Sequence, residues 1–103
     1  MARPALIAKM TAKEGRRDEL VAGLAELVEA VESEPGTLLY ALNLSAAEPD
    51  VVFFYEIYAD ADAVAAHAGS AAMKAAGAVM AELLAGRPEL QRLELIGGKG
   101  LPA

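Results

Sequence analysis

The chain has 103 residues, a formal net charge of −6 and no cysteine. That length supports one domain with one core, and the acidic balance argues against a nucleic-acid partner, which needs a basic stripe to neutralise phosphates. The missing cysteines exclude a disulfide framework, a thiolate nucleophile and a zinc–sulfur site.

The hydrophobic fraction of 55% overstates the core, because 24 of those residues are alanine. Alanine adds helix propensity and little buried area, so the larger residues decide the fold. No apolar run approaches the roughly 20 residues of a membrane span, and Lys9 interrupts the one apolar stretch near the start. The expectation is a soluble, cytoplasmic protein without a signal peptide.

In chain order, "ALIAKMTAK" (5–13) reads as a first strand, closed by Gly15. Leu20, Val21, Leu24, Leu27, Val28 and Val31 then recur at helical spacing, which predicts a helix over 16–33. Asp18 and Glu19 fall in its first turn, where the helix dipole favours acids. "EPG" (34–36) ends it, because Pro35 disfavours helix at Glu34 and Gly36 permits a turn. "TLLYALNL" and "VVFFYEIY" flank the turn "SAAEPD" and form a hairpin. Asp60 caps a short helix through about Ala68, and Ser70 caps a second segment after the "GS" break. Gly86 and Pro88 stop that segment. "ELQRLELI" is a fourth strand, and residues 98–103 form a flexible tail after a single domain over 1–97.

The order β-α-β-β-α-β is the ferredoxin-like split βαβ, an α+β fold with a four-stranded antiparallel sheet. Helices on one face leave the other bare. Yet "VVFFYEIY" does not alternate: Val52, Phe54, Glu56 and Tyr58 lie on one face, and Val51, Phe53, Tyr55 and Ile57 on the other. A second apolar face needs a cover. The simplest is the same face of a second copy, so the expected assembly is a homodimer through its sheets.

A first strand followed by "KEG", then "EPG", "YEIY" and "HAGSAAMK", resembles the antibiotic biosynthesis monooxygenase domain, from about Leu6 to Ile96. The resemblance implies a dimeric α+β barrel of ferredoxin-like subunits. It also implies oxidation of an aromatic phenol, quinol or polyketide by dioxygen, without metal, heme or flavin. Alternatives carried by the same resemblance are isomerisation of a phosphorylated dione and non-catalytic binding of a small ligand in a dimer. A heme-degrading branch is disfavoured: its ligating histidine falls on Gly77, its pocket asparagine on Ala8 and its pocket tryptophan on Tyr58.

By the same resemblance the pocket lies between helices and sheet, on the face that carries Tyr58. Strand parity then adds Phe54 and Glu56, and Ala8 and Met10 line the pocket from the first strand. His67 is the only histidine, and an imidazole suits a general base for a phenolic proton. It also fits a surface residue near a helix C-terminus. Glu56 is either a proton donor or acceptor with a raised pKa, or a structural acid paired with a group such as Arg92. Tyr58 and Tyr40 offer a wall and a hydroxyl to a substrate oxygen. Met73, Met80 and Phe54 are adaptable lining or plain core, and Lys74 is a solvated lysine or an anion contact. Asp60 and Asp62 sit at a helix start, where capping explains them without a metal.

Overall fold

The computed structural model describes residues 2–103. β1 (Arg3–Thr11) starts earlier than its apolar run suggests, because proline is tolerated at a strand's beginning and Pro4 sits there. α1 (Arg17–Val31) buries Leu20, Leu24, Leu27 and Val31 along one stripe. β2 (Thr37–Leu44) and β3 (Val51–Tyr58) form the expected hairpin. α2 (Ala61–Ala68) opens on Asp60, whose carboxylate accepts from the Ala63 amide at 2.8 Å. α3 (Ala71–Leu83) opens on Ser70, whose hydroxyl accepts from the Met73 amide at 3.1 Å. β4 (Glu89–Leu95) closes the order.

The four strands make one antiparallel sheet in the order β2-β3-β1-β4, a ferredoxin-like α+β fold. The core lies between the helices and one sheet face, around Leu20, Leu24, Val52 and Phe54. Directly opposed residues of an antiparallel sheet share a face, so the register lays out rows across it. One row runs Tyr40–Glu56–Leu6–Arg92 and the next Leu42–Phe54–Ala8–Leu90. Both rows face the helices.

Of the eight residues in β3, six are buried and only Phe53 and Tyr55 are half-exposed. These two share the outer face with Ile7, Leu39 and Ala41, which are half-exposed as well. Val51 and Ile57 lie on the same face and are buried.

Two glycines mark close approaches. A Cβ on Gly23 would stand 2.5 Å from Val79 Cγ1, so α1 and α3 touch there through a missing side chain. A Cβ on Gly36 would stand 2.5 Å from the Ala63 Cβ, which brings the 34–36 turn against α2. The Gly36 carbonyl also accepts from the Ala59 amide at 2.9 Å. The C-terminal residues, expected to be loose, return toward β1: Arg3 Nη1 donates to the Pro102 carbonyl at 2.9 Å.

Candidate functional site

A cavity of about 800 Å³ lies between the helix layer and the inner sheet face. Its walls are largely apolar, with Ala8 and Met10 from β1, Leu27 from α1, and Met73 and Met80 from α3. Four polar side chains gather at one end: Tyr40, Glu56, Tyr58 and His67. Tyr40 and Glu56 face each other across β2 and β3. His67 stands over them from α2, its ring 5.0 Å from that of Tyr40 and 5.6 Å from that of Tyr58.

His67 is 6% exposed, so it is not a surface histidine. Its Nδ1 lies 2.9 Å from Glu34 Oε1. The same oxygen accepts from the Thr37 hydroxyl at 2.8 Å. A carboxylate oxygen offers lone pairs, so this pairing favours the hydrogen on Nδ1, which in a neutral ring leaves the basic lone pair on Nε2. Among the described residues Nε2 has no hydrogen-bond partner, yet no buried side-chain nitrogen or oxygen is left unsatisfied. Nε2 therefore keeps access to open space, and His67 lines the cavity.

Local sequence explains the pairing. Asp60 starts α2 early enough for His67 to fall in its last turn. Gly36 lets the "EPG" turn press against α2 from below. Glu34 is thus delivered to a ring 33 residues away. Glu34 is a site residue that the sequence does not single out. Its only signal was a carboxylate inside a tight turn, which is commonplace.

Glu56 is 4% exposed. Its Oε1 accepts a hydrogen bond from the Tyr58 hydroxyl. The pairing with Arg92 considered from sequence does not form, because Leu6 stands between them in the row. Burial pushes the Glu56 carboxyl above its ordinary range, against the smaller opposing pulls of the Tyr58 hydrogen bond and of His67. Burial likewise pushes both tyrosines up, Tyr58 further through its bond to Glu56 and Tyr40 through the nearby Glu56 and Glu34 charges. Both phenols are therefore donors, and the His67 Nε2 lone pair faces the same space.

The structure brings His67, Glu56, Tyr58, Tyr40, Met73, Met80, Ala8 and Met10 to one cavity. Phe54 is placed differently from the expectation. It is 1% exposed and does not reach the wall. Strand parity gives it the right face, but the Tyr40 ring stacks over it at 4.7 Å and takes that position. Lys74 is exposed and off the cavity. Gly77 presents no side chain, and no group of three or more His, Cys, Asp or Glu among the described residues is arranged to hold a metal ion.

The fold and cavity define a class: a small ferredoxin-like α+β domain with a pocket under its helices, walled by apolar groups and holding a few convergent polar ones. The antibiotic biosynthesis monooxygenase family matches residues 5–79, and the chain belongs to it. A structure from Caulobacter crescentus CB15, assigned to the same family, is 31% identical with a TM-score of 0.88, over 93% of this chain and 92% of that one. A second from Chloroflexus aurantiacus J-10-fl, assigned likewise, is 30% identical with a TM-score of 0.81, over 96% and 98%. The NE2512 protein of Nitrosomonas europaea, of unknown function, is 28% identical with a TM-score of 0.87, over 100% and 97%. No curated protein matches.

Proposed function

We propose that the chain is a monooxygenase that oxidises a phenolic or quinolic aromatic with dioxygen, using no metal, heme or flavin. The observation that supports this best is the Glu34-held His67, whose Nε2 meets an apolar cavity beside the hydrogen-bonded Tyr58–Glu56 pair.

In this reading Nε2 takes the phenolic proton, and the Glu34 carboxylate steadies the imidazolium that forms. The phenolate gives up an electron to dioxygen far more readily than the phenol does. Recombination makes a C–O bond and a hydroperoxide. Loss of water then leaves a quinone, so one oxygen atom enters the product, the other leaves as water, and the phenol loses four electrons. The phenolic proton returns from the imidazolium to the peroxide; the ring hydrogen at the oxygenated carbon then passes to Nε2 as a proton and leaves with the departing hydroxide as water, relayed directly or through the Tyr58–Glu56 pair. Tyr40 holds the substrate oxygen between Glu56 and His67. The walls from Met73 and Met80 adapt to a flat ring.

The working unit in this proposal is a homodimer. Ile7, Leu39, Phe53 and Tyr55 give the outer sheet face a contiguous apolar surface, and the same face of a second copy covers it.

The test is oxygen consumption by metal-stripped protein across a panel of quinols and polyphenols. His67→Ala should lower turnover of any active substrate by roughly 10²–10⁴-fold, the usual worth of a general base. Wild-type turnover in that variant would overturn the proposal.

A further inference from the structure

The cavity's charge runs against that of the chain. Acidic residues outnumber basic ones by fifteen to nine overall, yet the cavity is lined by three arginines and two glutamates. One of those glutamates is the buried Glu56. Arg3 is occupied by the Pro102 carbonyl. Arg87 and Arg92 have no carboxylate within 4.0 Å among the described residues. Glu94 lies two residues on from Arg92 and faces the same cavity, yet forms no ion pair with it.

The sheet fixes where these groups stand. Arg92 ends the row Tyr40–Glu56–Leu6–Arg92, two strands from Glu56. Strands repeat every 4.8 Å or so, which separates the two by about 10 Å along one face. Leu6 gives an apolar floor between them. Leu90, in the adjoining row, is 54% exposed at the mouth and also lines the cavity. Arg87 lines the cavity from the turn between α3 and β4, beside Pro88. An uncovered leucine and two unpaired guanidinium groups line the same cavity as the polar cluster of Tyr40, Glu56, Tyr58 and His67, and so describe a ligand by its two ends.

We infer that the substrate is an amphipathic anion: an aromatic body of about two fused rings, its hydroxyl at His67 and Glu56 and its carboxylate or phosphate at Arg87 and Arg92. This rests on the phenol-oxidation reading and adds the ligand's second end. Arginine suits the role because its planar fork takes an oxyanion through two parallel hydrogen bonds.

The probe is 6-hydroxy-2-naphthoate, against its methyl ester and the matching phosphate monoester. The chain lacks tryptophan, so naphthyl fluorescence reports binding without that background. At low ionic strength, where exposed charges are least screened, the acid should bind about 10-fold more tightly than the ester. In the Arg87→Gln/Arg92→Gln double variant the acid should fall to the affinity of the ester, with circular dichroism confirming the fold. A phosphate ester that binds tighter still, with the same dependence on both arginines, names phosphate as the oxyanion. Equal affinity of acid and ester in the wild type overturns the inference, as does a preference that survives in the double variant or binding of neither. The two readings fail separately. An arginine-dependent acid preference with unchanged turnover in His67→Ala removes the oxidation mechanism and keeps the anion site. His67-dependent turnover of acid and ester with equal affinity does the reverse.

Discussion

Replacing Glu56 by glutamine keeps the shape of a protonated carboxyl and removes its titration. Burial favours the neutral form of Glu56, so its folded pKa lies above the unfolded value near 4.3. A group raised in this way contributes fully below the unfolded pKa, and the contribution is lost as pH rises through the folded pKa. Within that window the wild type binds one more proton folded than unfolded. Its stability should therefore fall with pH by up to about 1.4 kcal/mol per unit from this group alone. The amide oxygen introduced by Glu56→Gln can still accept from the Tyr58 hydroxyl, so the variant lacks this slope and is at least as stable as wild type at pH 8. Urea unfolding at fixed protein concentration, from pH 4 to pH 8, gives the two curves. Their difference isolates Glu56, since every other group is common to both. A difference that stays flat, or that grows in favour of wild type as pH rises, would refute the assignment of Glu56 as a carboxyl whose pKa burial raises.

Tyr58→Phe removes the hydrogen bond that the Glu56 carboxyl accepts from the Tyr58 hydroxyl. It should cost about 1–3 kcal/mol in urea unfolding and carry the pH-dependent loss of stability to higher pH, because the bond that favours the charged form is gone. Gly36→Ala sets a methyl group 2.5 Å from the Ala63 Cβ. Overpacking at a backbone contact should cost about 1–3 kcal/mol, and turnover should fall as α2 is displaced from Glu34; unchanged turnover would separate the turn from the site. Phe53→Glu puts a charge at the middle of the outer sheet face and should yield monomers or insoluble chain, whereas a wild type that is monomeric by light scattering at micromolar concentration removes the dimer from the account.

The fold was legible because its signals are periodic. The α1 stripe, the two-sided apolar run of β3 and the Asp60 and Ser70 caps are each carried by residues close together in the chain. Strand parity also placed Glu56 and Tyr58 on the inner face. What escaped depends on distance in space. Glu34 meets His67 only after the turn packs on α2, and nothing within the "EPG" segment announces a partner 33 residues on. Phe54 has the right parity but lies beneath Tyr40, and parity carries no information about which ring is uppermost. Arg92 lies on a short charged edge strand, a pattern that ordinarily serves to keep sheet edges from pairing. Only the register that places it in the Glu56 row gives it another meaning.

The mechanism depends most on which nitrogen of His67 carries the proton. Because the chain has one histidine, a two-dimensional spectrum correlating imidazole ¹⁵N with ring protons shows a single ring and needs no assignment. At a pH where that ring is neutral, the wild type should show a protonated Nδ1 and an unprotonated Nε2. Glu34→Gln should lose that preference, since its side chain can turn its NH₂ as well as its oxygen toward the ring. A wild-type ring protonated on Nε2, or one whose tautomer is unmoved by Glu34→Gln, would contradict the claim that Glu34 sets His67 as the base facing the cavity.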